Sequence, residues 1–455
     1  MCSSQIRIYS EKTSPRLDYA AGLIFGDIMG LDWEIVTDES RISRQGIPVI
    51  NYSRKSIPDS FRIKPVSLLF EKGIIPREIS ITEWKGLPVF FDADRNPDGG
   101  PDSGSAPGSG SDCISEIPFD LLAASFYLVS RYEEYLDYRP DRHGRFPASA
   151  SAAYRHGFLT LPVVDLWTRE LAKELGQKYP GLKFSFSSYH ALFTMDSDQP
   201  FAYLGKSLFR TAGGLARNML TDRRKAAERL RVLAGKARDP FDVYDYILRS
   251  IAESGSCARF FFPAGSLSEY DRNPNWRNRR YRKLIRKLGN SHVSGLHPSY
   301  LASDDLSRFR SERERLGRIL NRPVEISRFH FIRMRIPGSY RMISGEGINE
   351  DYSMGYPDHP GFRAGIARPF FFYDLGEERK TDLKLVPFQF MDSSFYDYMN
   401  LDPEEAEELI IKLVDETRNA GGLFVSLWHN TTLADTYEGR RWRALFEKML
   451  VMQKP

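Results

Sequence analysis

Four short apolar runs in this chain end on residues that can carry chemistry. Phe193-Thr194-Met195 ends on Asp196, with Asp198 just beyond it. Residues 293–296 run into His297, residues 324–326 lead through Ser327 to Arg328 and His330, and residues 423–427 lead through Trp428 to His429. A carboxylate at the end of a buried strand needs a partner, because an unpaired buried charge is costly or shifts its pKa. Positions i and i+2 of an extended segment share a face, so Asp196 and Asp198 can act together. Taken alone, two such acids are also what a turn or a helix cap would show. The set is harder to explain that way, since three of the chain's 8 histidines fall at strand ends of the same kind. Carboxylate plus imidazole suits a divalent ion such as Zn²⁺, with Co²⁺, Ni²⁺ and Fe²⁺ as borderline alternatives. An ion held this way polarises a carbonyl and lowers the pKa of a bound water. A second carboxylate could take the water's proton, and an imidazole across the site could protonate a leaving amine. This is machinery for hydrolysing an amide or an ester.

Such a rim needs a scaffold that brings several strand ends together. From residue 181 onward strand-like and helical segments alternate. Strands are expected at 184–194, 258–262, 293–296, 324–331, 370–373, 385–390 and 423–428, with helices at 242–254, 275–288, 304–320 and 402–420. Alternation of this kind implies a parallel sheet, open or closed into a barrel, with chemistry at the carboxyl ends of its strands. Before residue 180 the pattern is more mixed. Short strands are expected at 5–9, 33–37, 47–52 and 89–91, and helices at 17–31, 119–138 and 163–179. Residues 92–112 turn to Asp, Gly, Pro and Ser with almost nothing to bury, and predict a mobile loop. The expected organisation is therefore α/β: a smaller mixed α+β domain over 1–180 and a larger strand–helix domain over 181–455.

At 455 residues with 41% apolar content the chain can bury a sizeable core, and its length fits two domains. A net charge of +4 argues against a dedicated nucleic-acid binder. Three scattered cysteines, Cys2, Cys113 and Cys257, exclude a disulfide framework or a zinc ribbon and fit a reducing compartment. The start, Met1 to Arg7, lacks the character of a secretory leader, and no apolar run nears the roughly 20 residues of a membrane span. A cytoplasmic protein without a transmembrane segment is the expectation. Residues 206–238 are rich in arginine and lysine, which reads as a solvated helical face or as a contact with an anionic surface.

The strand-end residues also resemble the motifs of the polysaccharide deacetylases of carbohydrate esterase family four, over roughly residues 183–435. That resemblance implies a deformed (β/α) barrel for the second domain. Thr194-Met195-Asp196-Ser197-Asp198 is similar to the family's first motif, which makes Asp196 the base and Asp198 a metal ligand. His297 matches the first histidine of the second motif. Arg328 resembles the arginine that holds the base, and Leu427-Trp428-His429 the motif that supplies the acid. Asp351 is the candidate for the aspartate that tunes that acid, and Arg363 for a residue binding a substrate oxygen. The segment before residue 180 looks like an uncharacterised domain that precedes such barrels in some bacterial proteins. One departure stands out: Leu301 occupies the place of the family's second metal histidine, and leucine cannot ligate. His330, from a neighbouring strand end, is the expected substitute.

The resemblance and the residues together lead to a metal-dependent hydrolase that removes an acyl group from an N-acylated sugar or glycan. Asp198, His297 and His330 would hold the ion. Asp196, Arg328, His429 and Asp351 would form the catalytic set, and Trp428, Arg363 and Tyr356 would contact the carbohydrate. Two rivals remain at this stage. One is a non-catalytic carbohydrate-binding or scaffold protein of surface-polysaccharide metabolism, motivated by Leu301. The other keeps the hydrolase and exchanges the sugar for a small amide.

Overall fold

The computed structural model of the protein describes residues 4–42, 46–92 and 115–454. The loop expected at 92–112 lies, apart from Asp92, outside the described residues. The amino-terminal part holds a four-stranded sheet of β1 (Gln5–Tyr9), β2 (Asp32–Val36), β3 (Val49–Asn51) and β4 (Phe61–Arg62), in the order β2-β1-β3-β4. All of its pairings are parallel. Parallel neighbours require a crossover, and the helical stretch Pro15–Ala21 continuing into Gly22–Ile28 supplies it between β1 and β2. An antiparallel pair, β5 (Thr82–Trp84) and β6 (Leu87–Val89), stands apart from this sheet. The parallel sheet is more regular than the mixed α+β arrangement expected for this segment. The helix expected at 119–138 is shorter, Leu121–Val129, and ends where Arg131 adopts a left-handed backbone before a tight turn over Tyr132–Tyr135.

The remaining nine strands form one sheet. They are β7 (His190–Asp196), β8 (Cys257–Phe262), β9 (Val293–Leu296), β10 (Ile326–Ser327), β11 (Glu350–Asp351), β12 (Phe370–Asp374), β13 (Arg379–Leu385), β14 (Phe390–Met391) and β15 (Leu423–His429), in the order β12-β13-β11-β10-β9-β8-β7-β15-β14. Within this sheet, among the described residues, only β12 and β13 pair antiparallel. The fold is thus α/β, as expected, but hydrogen bonding does not close the sheet into a barrel: β12 and β14 are edges among the described residues. The sheet is nevertheless strongly curled. Leu385 pairs with Asp351 of β11, whereas Phe390 pairs with Ser426 of β15 on the far side. A chain of that length reaches at most about 17 Å, so the two ends of the sheet lie close together.

Period-two alternation divides each strand between two cores. On β7, Phe193 and Met195 join the large cluster packed under the helices, while Leu192 faces a second, inner cluster. On β15, Phe424 and Trp428 face the helices, while Val425 and Leu427 face inward with Phe261 of β8, Ile326 of β10 and Met391 of β14. Asp196 and His429 continue the inner rows of β7 and β15, and so cap the inner cluster. The helix Pro403–Ala420 sets up β15. It begins with a capping box between Asp402 and Glu405 and stops at Gly421, whose φ of +61° is left-handed. A Cβ at Gly421 would meet the Ser187 carbonyl at 2.6 Å, so the turn into β15 needs glycine. Among the described residues no helix is long and apolar enough to cross a membrane.

Candidate active site

In the parallel register of β7 and β15, Asp196 lies directly opposite His429. His297 follows β9, and Arg328 and His330 follow β10, so four strands deliver their terminal side chains to one end of the sheet. The strand expected at 324–331 stops at Ser327 because Arg328 turns inward. Its Nε donates to the Tyr352 carbonyl at 2.9 Å, Nη2 to Thr194 Oγ1 at 2.7 Å and Nη1 to Asp196 Oδ1 at 3.0 Å. The guanidinium also lies over the Phe261 ring, 4.5 Å from its centre. Asp196 is buried, and Arg328 fixes one of its oxygens while the other is left facing the cavity.

Three imidazoles surround Asp198 in a common pattern. His297 Nδ1 sits 2.6 Å from the Arg328 carbonyl, His330 Nδ1 3.0 Å from Asp271 Oδ1, and His429 Nδ1 2.6 Å from Asp392 Oδ1. Each Nδ1 faces a group that only accepts, so each ring carries its proton there and turns Nε2 toward the cavity. Those Nε2 atoms lie 3.1, 3.4 and 3.6 Å from the Asp198 carboxylate. One oxygen or nitrogen each from Asp198, His297 and His330 falls within 4.8 Å of the others. His297 Nε2 and Asp198 Oδ1 are buried and, among the described residues, lack hydrogen-bond partners. Two imidazole nitrogens and a carboxylate, with bare acceptors converging, are a donor set that fits a divalent cation with room for water.

Electrostatics separate the three histidines. Burial alone would lower the His429 ring, but the Asp392 carboxylate, helped by Asp198 and Asp196, raises it to about 10. Asp392 also accepts the backbone N–H of His429 at 2.7 Å and so grips both ends of the residue. Burial likewise disfavours a charged His330, yet Asp198 and Asp271 raise it to about 9. Burial would raise Asp198, but His330 and His297 more than offset it and hold the carboxyl well below its ordinary range.

Of the residues expected in the site, Asp196, Asp198, His297, Arg328, His330 and His429 come together; the other four lie elsewhere. Asp351 is fully buried on β11, accepts from Ser327 Oγ and the Ser353 N–H at 2.9 Å each, and does not reach His429. Asp392 takes the place expected for it. Trp428 precedes His429 on the same strand and therefore faces away, packed edge-on against Phe390 and Phe446. Arg363 is spent on a buried ion pair with Glu134, and Tyr356 accepts from Arg131 beside it. Leu301 is 48% exposed in a turn outside the cluster. Asp392 carried a readable signal: Phe388-Gln389-Phe390-Met391-Asp392 is an apolar run ending in an acid, as is Phe193-Thr194-Met195-Asp196. Asp271 lies in an irregular loop after β8, where no periodicity marks it.

The cluster lines a cavity of about 210 Å³ walled by Phe331, Tyr396 and Tyr398, which adjoins a wider cleft of about 730 Å³. The amino-terminal segment contributes to both. Arg145 lines the inner cavity and donates to the Phe331 carbonyl and to Tyr398 Oη, and His143 lines the outer cleft.

Comparison with known proteins gives three results. Residues 6–180 match the model of a family of unknown function, DUF7033. No curated protein matches the chain. Among solved structures, a protein from Mycobacterium smegmatis described as a polysaccharide deacetylase is 17% identical, with 58% of this chain and 85% of that one covered and a TM-score of 0.39. An allantoinase is 10% identical over 57% of this chain and 83% of its own, with a TM-score of 0.38. The polysaccharide deacetylase of Bacillus cereus is 10% identical over 59% and 86%, with a TM-score of 0.26. Likeness at this distance carries no chemistry; the side chains at the strand ends do.

Proposed function

We propose that this chain is a metal-dependent hydrolase that removes an acyl group from an N-acylated sugar or glycan. The observation supporting this reading is the convergence of three Nδ1-anchored imidazoles on Asp198, beside a second carboxylate held by Arg328. In this reading Asp198, His297 and His330 hold a divalent ion, with Zn²⁺ the best match to their donor set. Such an ion, when bound, would supply Lewis-acid polarisation of the acyl carbonyl and a more acidic water. Asp196 then takes the proton of the attacking water, and Arg328 keeps its carboxylate aimed. His429 holds a proton through Asp392 and gives it to the amine nitrogen as the C–N bond breaks. The products are a free amino sugar and a carboxylic acid. Tyr396, Tyr398 and Phe331 offer apolar faces to a sugar ring, and Arg145 makes the segment before residue 180 part of the wall. The division near residue 180 is thus one of sequence segments that serve a single site.

Assay of acyl release from N-acetylated sugars and oligosaccharides tests this reading. Wild type should turn over, Asp198→Ala should lose both ion and turnover, and Asp196→Asn should keep the ion and lose turnover. Equal turnover in all three would refute the scheme. A non-catalytic carbohydrate-binding protein is the second reading, favoured by Leu301 where the resembled family has a histidine. It predicts saturable glycan binding with no stoichiometric ion. The small inner cavity favours a small amide as the alternative substrate, which the same screen separates.

A further inference from the structure

Between β7 and the helix Tyr244–Ser254 the chain makes an excursion that none of the proposed chemistry uses. Two helices form it, Leu208–Thr221 and Arg223–Leu233. Ser207 caps the first and Asp222 the second, whose Oδ1 accepts from the N–H groups of Arg224 and Lys225 at 3.0 and 3.1 Å. The root is tied by Asp239, which accepts from the backbone N–H groups of Ala202, Tyr203 and Leu204 at 2.7, 2.8 and 3.0 Å. Arg229 lies across Gly214 and over the Tyr203 ring, which fixes the two helices against each other.

The first helix has no buried residue. Leu208, Phe209 and Leu220 are 87%, 92% and 89% exposed. At about 100° per residue, Leu208, Phe209, Ala212, Leu215, Ala216, Met219 and Leu220 share one arc of roughly 140°, with Arg210 and Arg217 opposite. Residues 206–238 hold ten lysines and arginines against the two acids Asp222 and Glu228, a net +8 where the whole chain carries +4. The basic surface continues beyond the root: Asn278, at the start of the arginine-rich helix Arg279–Ser291, donates to the Gly205 carbonyl.

We infer that this helical pair is a docking surface for an anionic lipid bilayer, with the first helix lying in the interface. Exposed leucine and phenylalanine on one arc and cations on the other suit the boundary between acyl chains and anionic headgroups. A nucleic acid would use the charge and leave the apolar arc uncovered. A second copy of this chain would oppose +8 to +8, so self-docking on this face is disfavoured by charge.

Sedimentation of the full chain with vesicles tests the inference. Vesicles of neutral phosphatidylcholine should retain little protein, and adding about 30 mol% phosphatidylglycerol should raise partitioning at least about 100-fold. Combined Leu208→Ser, Phe209→Ser and Leu220→Ser should lower it at least about 10-fold, as should combined Arg223→Glu, Arg224→Glu and Lys225→Glu. These positions are exposed, so circular dichroism should be unchanged, and Phe209→Ser alone tests the apolar arc in the mildest form. Failure to bind either vesicle overturns the inference. So does apolar-variant binding equal to wild type, which would mark a polyanion site, or wild-type self-association lost in the apolar variant, which would mark a second copy.

Discussion

His297 Nε2 and Asp198 Oδ1 face each other at 3.1 Å, and among the described residues neither has a hydrogen-bond partner. With Nδ1 held by the Arg328 carbonyl, Nε2 and the carboxylate oxygen converge on one point that a cation could occupy. About one Zn²⁺ per chain should therefore be found by elemental analysis after reconstitution. His330→Ala should abolish it, because Leu301 offers no replacement. Asp271→Asn, which removes the carboxylate that orients His330 and leaves the ligand set itself intact, should weaken affinity by about 10–100-fold.

Asp392 should control the proton on His429. Its carboxylate is the main influence opposing burial, so in Asp392→Asn the ring should titrate far below about 10. The sign follows from the raised value. Stabilisation by the pair is complete below the ordinary histidine pKa and is lost as pH rises through about 10. The titration is read from the His429 ring signals by NMR. In an acyl-release assay, the alkaline limb should move to lower pH in the variant and turnover should fall about 100-fold.

Asp351 makes a contrasting prediction. Burial outweighs its hydrogen bonds and raises it to about 6, so the folded protein binds a proton that the unfolded chain releases near 4. This residue's contribution to stability is full below about pH 4 and declines as pH rises through 6, by up to about 3 kcal/mol. Asp351→Asn should flatten that part of the pH dependence of urea unfolding. Turnover should change by less than about 10-fold, because Asp392, not Asp351, holds His429.

Glu134 accepts from both Arg131 and Arg363, and all three are buried. Removing the carboxylate leaves the buried Arg363 unpaired and Arg131 with Glu133 alone, so Glu134→Ala should cost about 3–5 kcal/mol in denaturant unfolding. Any Arg363 variant that still folds should keep its KM, since that side chain lies outside the cavity.

How far these residues were legible depended on which physical signal each one left. Asp196, His297 and His429 stand directly at the ends of apolar strands, where period-two alternation and the parallel-sheet rule locate them from sequence. Trp428 shows the limit of reading by proximity: adjacency to His429 along a strand sends it to the opposite face. Asp392 ends an apolar stretch whereas Asp351 follows Ile348-Asn349-Glu350, and the curl of the sheet brings Asp392 to His429. That curl depends on the passage from Leu385 to Phe390 between distant strands, a long-range relation that no local pattern encodes. Arg363 and Tyr356 were misplaced for a similar reason, since their partners Glu134 and Arg131 lie more than two hundred positions away.

The ties between the segments either side of residue 180 bear on how such a chain is inherited. Arg16 pairs with Glu378, Asp165 with Arg368 and Glu134 with Arg363, and one apolar cluster runs from Ile6 to Leu450. A gene cut at that point would give two products, each baring the face the other covers, and the later product would lack the Arg145 wall of the cavity. Exchange of either half by fusion or fission is thereby penalised twice, in folding and in the shape of the cavity. The two segments should therefore pass between genomes as a single module.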